Sequence, residues 1–203
     1  MNGACGCTAH HQTKVIVLTG GPGAGKTAVL ELLRRRVCKH VVILPEAATI
    51  VYGGGFPRRE NVVARCAAQR AIFHVQRELE VVGHANGAAI ILCDRGTVDG
   101  LAYWPTDPTA ALAELGTTIE EERARYDVVI HLRTPPANGG YDHTNPVRIE
   151  SPAEAEAIDR RIASVWEGHP RRLFVENSSD FLVKAQHALE LLTAELPSCC
   201  KSR

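Results

Sequence analysis

The sequence predicts a doubly wound α/β domain built on about five parallel strands. Three observations carry this prediction: short continuous apolar runs recur along the chain, helical patterns separate them, and a glycine-rich turn joins the first run to the first helix. Runs with little alternation suit strands covered on both faces, and so parallel pairing. The 203 residues suffice for one domain, read as 14–195, between a flexible arm at 1–13 and a tail at 196–203.

The elements follow in order. Lys14-Val15-Ile16-Val17-Leu18-Thr19 is β-branched and apolar, and residues 41–44, 88–93, 127–132 and 173–175 repeat the pattern. Residues 60–82 read as a long helix with Val62, Val63, Cys66, Ile72, Val75, Leu79 and Val82 as its apolar positions and Gly83 as its stop. Ser151-Pro152-Ala153-Glu154 is a capping box with proline at the first helical position. The helix it opens sets Ile158, Ile162 and Val165 on one face and pairs Glu156 with Arg160 on another. A last helix from about residue 180 aligns Leu182, Ala185, Leu189 and Leu192. Between these elements, residues 133–150 are aperiodic and rich in Pro, Gly, Asn, His and Asp. Loops beyond about 12–15 residues tend to be lids or disordered segments, and Arg133 and Arg148 stand at the ends, where a closing lid would bring them over a phosphate.

Composition narrows the function. Lys plus Arg and Asp plus Glu each number 23, giving zero formal charge, which argues against non-specific nucleic-acid binding. Aromatic content of 5% is too sparse for a base-stacking platform. The seven cysteines are odd in number and scattered, so they do not form a disulfide framework. Cys5 and Cys7 lie in one tail and Cys199 and Cys200 in the other; a zinc site joining the tails is the alternative, but the spacings fit no ligand pattern. Cys38, Cys66 and Cys93 read as small core residues. His10, His11, His143 and His169 show no metal spacing either. No charged-then-apolar leader and no run of ~18–20 apolar residues occurs, and the ending Cys200-Lys201-Ser202-Arg203 is not a prenylation box. The expectation is a cytoplasmic protein with reduced thiols and neither a nucleic-acid nor a membrane partner.

The most informative segment is Gly20-Gly21-Pro22-Gly23-Ala24-Gly25-Lys26-Thr27, which satisfies G-x-x-x-x-G-K-[ST] between a strand and a helix. Glycines let successive N–H groups turn inward toward phosphate oxygens, and the helix adds its positive end. Lys26 is placed to reach the β- and γ-phosphates, and the Thr27 hydroxyl to ligate magnesium. Asp94 follows one strand and Glu46 another. In an open parallel sheet both acids face the same crevice, Asp94 as the magnesium candidate. A helix N-cap for Asp94 and a solvated charge for Glu46 are the plainer readings. Arg95 stands where hydrolytic machines place a water-activating glutamate; arginine cannot take a proton but grips phosphate, which favours transfer over hydrolysis. Asp99 either lines the acceptor pocket or caps a helix. Arg58 and Arg59, Gln69 and Arg70, and Tyr103 and Trp104 are lesser acceptor-side candidates, each with an ordinary surface or packing explanation.

With Gly20–Thr27, Pro45-Glu46, Asp94-Arg95-Gly96, Asp99, Asn145, Arg148, Trp166, His169-Pro170 and Val175-Glu176-Asn177, the chain resembles a compact P-loop ATP-binding family. That family includes the nicotinamide-ribose kinase domain of bacterial NAD regulators and the translocation-defect GTP-binding proteins. It is similar, more distantly, to deoxynucleoside and thymidylate kinases. The resemblance runs from Lys14 to about Leu192. It implies a P-loop NTPase three-layer α/β/α sandwich with strand order 2-3-1-4-5 and a lid. It also implies nucleotide contacts from Gly21, Pro22, Gly23, Ala24, Gly25, Lys26, Thr27, Arg133 and Asn177, metal contacts from Thr27 and Asp94, and catalytic roles for Lys26, Glu46, Asp94, Arg95 and Arg148. Either Glu46 or Asp94 takes the acceptor proton. In the deoxynucleoside kinases a proline follows the acid, whereas here Pro45 precedes Glu46.

The expected activity is therefore an ATP- and magnesium-dependent kinase of a small hydroxylated metabolite, a nucleoside or riboside foremost. The rival is a nucleotide-dependent switch, binding ATP or GTP with little turnover. No Asn-Lys-x-Asp follows any strand, which weakens the GTP version. An oligomeric remodelling ATPase is disfavoured by Arg95.

Overall fold

A computed structural model of the chain describes residues 11–136 and 151–201. Arg148, Asn145 and most of the expected lid lie outside the described residues, as do Cys5, Cys7, His10 and His143. Five strands, β1 (Lys14–Thr19), β2 (Val41–Leu44), β3 (Ile90–Asp94), β4 (Val128–Leu132) and β5 (Arg172–Val175), form one parallel sheet in the order β2-β3-β1-β4-β5. This is the order the family resemblance implies. Leu18 pairs with Asp94 and Thr19 with His131, so the ends of the three central strands meet at one rim.

Alternate residues of β1 serve opposite cores. Ile16 and Leu18 pack with Val29, Leu30 and Leu33 of α1 (Lys26–Arg34) and with Ala188 and Leu192 of α7 (Phe181–Glu195). Val15 and Val17 pack with Ile158 and Ile162 of α6 (Pro152–Val165), with Trp166, and with Leu101 of a 3₁₀ segment, Thr97–Tyr103. Both faces are covered, the physical reason the strand sequences show no alternation. Three shorter helices, α2 (Ala47–Gly53), α4 (Pro108–Leu115) and α5 (Ile119–Ala124), complete the main layers. Among the described residues no helix is long and apolar enough to cross a membrane.

The long helix α3 (Val62–Ala85) departs from the sequence expectation. Gly83 does not end it; Asn86 is its C-cap and Gly87 follows at φ 65°. A Cβ at Gly83 would meet Ile91 Cδ1 at 3.1 Å, so this glycine lets the helix ride close to β3. Val62, Val63 and Val82 are exposed, while Gln76 and Glu80 are buried. Those polar groups have partners: Glu80 Oε1 accepts from Gln76 Nε2 and the Tyr126 hydroxyl, both at 2.8 Å, and Oε2 accepts from Arg125. Glu122, also buried, accepts from Arg77 at 2.6 Å and from the Thr97 hydroxyl at 2.7 Å. A buried carboxylate is tolerated only with such partners, and here Glu122 anchors Thr97, which lines the crevice. Leu182, expected in the apolar row of α7, is exposed as well. The segment expected as a C-terminal tail packs back through Leu196 and Cys200, both buried, the latter in a short helix α8 (Ser198–Lys201).

Candidate nucleotide and acceptor site

Residues 20–27 curl from the end of β1 into α1. Gly20 has φ 134° and Gly25 φ 92°. A Cβ at Gly20 would lie 2.0 Å from the Leu132 carbonyl oxygen, and one at Gly25 2.5 Å from the Phe181 ring. Neither place admits a side chain, so the loop can hold only glycine there. The start of α1 leaves N–H groups without intrahelical acceptors, and they face a cavity of about 1120 Å³. That exceeds the roughly 300–1,000 Å³ of a typical single-ligand pocket. A smaller cavity of about 550 Å³ beside Phe73, Arg77 and Glu121 contains no strand-end residue.

Pro22, Gly23, Ala24, Gly25, Lys26, Thr27, Glu46, Asp94 and Arg95 all line the larger cavity. Lys26 is 7% exposed and donates to the carbonyls of Gly20 at 2.9 Å and Gly21 at 3.1 Å. Burial and the Arg95 charge lower its pKa to about 8, against the raising influence of Asp94, Glu46 and Asp99. Asp94 Oδ1 is buried with no hydrogen-bond partner among the described residues, and burial raises this carboxyl's pKa. Arg95, at φ 73°, turns back over the loop: Nε donates to Glu46 Oε1 at 2.8 Å and a terminal nitrogen to Gly20 O at 3.2 Å. Its guanidinium lies 5.5 Å from the Tyr103 ring centroid. Burial pushes the Glu46 pKa up, but Arg95, Lys26 and a hydrogen bond from Thr49 outweigh it and bring the value to about 2.

The other candidates divide. Asp99 both lines the cavity and acts as a cap: Oδ2 accepts from Gly96 N at 2.9 Å, and Oδ1 from the Thr19 hydroxyl and Trp166 Nε1, both at 2.7 Å. Arg70 pairs with Glu114 at 2.9 Å on the surface, whereas Gln69, Arg58, Arg59 and Tyr103 line the cavity. Trp104 is core. Arg133 lies over Phe174 at 4.6 Å and 3.6 Å from Asp159 Oδ2. Asn177 does not line the cavity; it donates to Thr134 O at 2.7 Å and accepts from Lys184 at 3.0 Å, tying together the loops after β4 and β5.

Asp159, which sequence reasoning passed over, holds the loop from outside. Its Oδ1 accepts from Gly21 N at 2.8 Å, His131 Nε2 at 2.9 Å and the Thr134 hydroxyl at 3.3 Å. Burial raises its pKa, but the His131 contacts and the Gly21 amide lower it more. Its ionised form therefore stabilises the fold above the ordinary aspartate pKa, and that support is lost as pH falls through the lowered value. Asp159→Ala is expected to cost about 1–3 kcal/mol near neutral pH by orphaning buried donors. The deficit should shrink in acid, as measured by thermal unfolding at both pH values; an unchanged midpoint at neutral pH would refute the role.

A glycine loop between β1 and α1, with its lysine facing an acid at the end of neighbouring β3, defines a P-loop α/β protein of the nucleoside- and nucleotide-kinase-like fold. The chain belongs to an AAA domain family, whose model matches residues 15–182. No curated protein matches the sequence. Among solved structures, NadR protein in complex with NR aligns with TM-score 0.65 and 17% identity over 90% of this chain and 51% of that one. The chain thus spans about half the length of that structure. Thymidylate kinase from Ehrlichia chaffeensis aligns with TM-score 0.59 and 12% identity over 89% of this chain and 98% of that one. Deoxyadenosine kinase from M. mycoides with bound dATP aligns with TM-score 0.59 and 14% identity over 88% and 98%.

Proposed function

We propose that the chain is an ATP- and magnesium-dependent phosphotransferase acting in the cytoplasm on a small hydroxylated metabolite, a nucleoside or riboside foremost. The observation that carries the reading is the single large cavity with two unlike ends. One end is the glycine loop with Lys26 and Thr27; the other offers Gln69, Tyr103, Arg58 and Arg59 to an acceptor. NadR bound to NR and deoxyadenosine kinase bound to dATP are consistent with a ligand of this kind.

Phosphoryl transfer depends on positioning and charge neutralisation more than on a strong base. The Lys26 ammonium would leave its two carbonyls for the triphosphate, and Arg95 would face the transferred group. Thr27 and the unpartnered Asp94 Oδ1 fit magnesium, a hard cation that prefers oxygen ligands. When bound, magnesium neutralises charge on the phosphate oxygens. Glu46 is a weak base at a pKa of about 2, so Asp94, whose pKa burial raises, competes with it for the acceptor proton. Arg133, Asn177 and Arg148 stay in the proposal as nucleotide-side or lid contacts. GTP is the alternative donor.

ATP consumption by the purified protein should rise many-fold when the correct nucleoside or riboside is added, with its phosphorylated mass appearing in the mixture. A slow basal rate unchanged across a broad acceptor panel would sink the kinase reading. The second reading, a nucleotide-dependent switch with little turnover, draws on the Glu46–Arg95 ion pair, which leaves the acid closed to proton transfer.

A further inference from the structure

The opposite end of the sheet carries a second cluster of chemistry. His11 precedes β1, Cys38 and His40 lie in the turn before β2, and Cys199 and Cys200 sit in α8. Cys38 Sγ is 3.3 Å from His40 Nδ1, which is 3.7 Å from Cys199 Sγ. The two neighbouring sulfurs are 3.9 Å apart. The ligand atoms of Cys38, His40 and Cys200 all lie within 4.8 Å of one another. His11, His40 and Cys199 form a second such group, with His11 Nε2 3.6 Å from Cys199 Sγ.

These separations have a chemical meaning. Zinc–sulfur bonds of about 2.3 Å and zinc–nitrogen bonds of about 2.0–2.1 Å make tetrahedral edges of roughly 3.5–3.8 Å. Three edges of the set, Cys38–His40 at 3.3 Å, His40–Cys199 at 3.7 Å and Cys199–Cys200 at 3.9 Å, bracket that length. Cys38 and Cys200 are buried at the edge of one apolar core and Cys199 is half-buried against it, yet the Cys38 and Cys199 sulfurs also meet an imidazole nitrogen and those of Cys199 and Cys200 meet each other. The turn is held in place as well: the His40 carbonyl accepts from Ala89 N at 2.8 Å and Ile90 N at 3.0 Å, and Cys38 O from Val41 N at 3.1 Å. Cys200 N donates to Pro197 O at 2.8 Å.

We propose that Cys38, His40, Cys199 and Cys200 bind a zinc ion that clasps the C-terminal segment to the turn before β2. Three thiolates and one imidazole form a closed tetrahedral set, which suits zinc over harder cations and a structural over a catalytic role. Each thiol releases its proton to solvent on binding, so the ion and three thiolates carry net charge −1. The sequence conceals the site because Cys38-Lys39-His40 and adjacent Cys199-Cys200 follow no usual ligand spacing, and the fold alone joins them.

Chain purified in reductant without chelator should contain one zinc per molecule by elemental mass spectrometry. Cobalt added to the stripped chain should give a thiolate charge-transfer band and the intense visible bands of a tetrahedral centre. Cys38→Ser and Cys200→Ser should each weaken cobalt binding by at least about 100-fold, while His11→Asn changes it by less than about tenfold. Chelator should lower the melting temperature of the unaltered chain but not of Cys38→Ser. The proposal fails if the unaltered chain holds no zinc and gives no such cobalt spectrum. It also fails if peptide mapping finds a Cys38–Cys200 disulfide in the chain as purified, or if binding survives both serine variants. The cobalt spectrum of the unaltered chain decides the question even where a variant does not fold.

Discussion

Lys26→Ala is expected to lower phosphoryl transfer by at least about 10²-fold, the order lost when one preorganised donor to a developing anion is removed. The same change should not destabilise the empty protein. With its pKa lowered to about 8 mainly by burial, this lysine binds its proton less tightly in the folded chain than in the unfolded one. Its charge therefore costs stability below pH 8, and the cost fades as pH rises toward the unfolded value. The variant should melt no lower than the parent at neutral pH while losing activity, which separates a functional loss from a folding defect. In the parent, triphosphate affinity should fall about tenfold per pH unit above 8, as the empty-site ammonium deprotonates. Calorimetric titration across that range and steady-state turnover supply both measurements. Undiminished binding and turnover in Lys26→Ala would remove the phosphate-cradle argument.

Arg95→Ala should slow transfer by about 10³-fold or more, the lower end of what arginines facing a transferred phosphoryl group contribute. On the proposed role, nucleotide affinity should change far less, because the contact with the transferred group would be made chiefly in the transition state. Equal losses in kcat and in affinity would mean ordinary ground-state binding. A second consequence concerns Glu46, whose carboxyl is held near 2 in part by the Arg95 guanidinium. Without that charge its pKa should climb toward the usual ~4.3, and an acidic limb should move toward neutrality in the variant's pH–rate profile. The parent should show no Glu46 limb above about pH 3. The sign is that of any depressed carboxyl: the ion pair supports the fold above the unfolded pKa and is lost as pH falls through the folded value.

The strands and the glycine loop were legible because their signals are local. An apolar run of four to six residues announces a strand by itself, and residues 20–27 carry the whole phosphate motif in one stretch. Glu46, Asp94 and Arg95 were legible because parallel strands deliver their ends to one rim. What stayed hidden depends on distant partners. Asp159 reaches Gly21 across 138 residues of sequence, and nothing around it in α6 marks it as more than a helix acid. Gln76 and Glu80 were not singled out, since their burial depends on Gln76 bonding Glu80 and on Tyr126 and Arg125 bonding Glu80 in turn. The converse error placed Val62, Val63, Val82 and Leu182 in the core, since a hydrophobic period cannot say how far the neighbouring layer extends. Asp99 looked equally suited to pocket and cap; it lines the cavity while Thr19, Gly96 and Trp166 hold its carboxylate as a cap.

Arg95 is the sole described non-glycine residue with a positive φ. A branched-off Cβ in that left-handed twist carries a penalty of about 1–2 kcal/mol, which glycine at the same place would avoid. Against that cost stand the ion pair with Glu46 at 2.8 Å and the bond to Gly20 O at 3.2 Å, which glycine could not make.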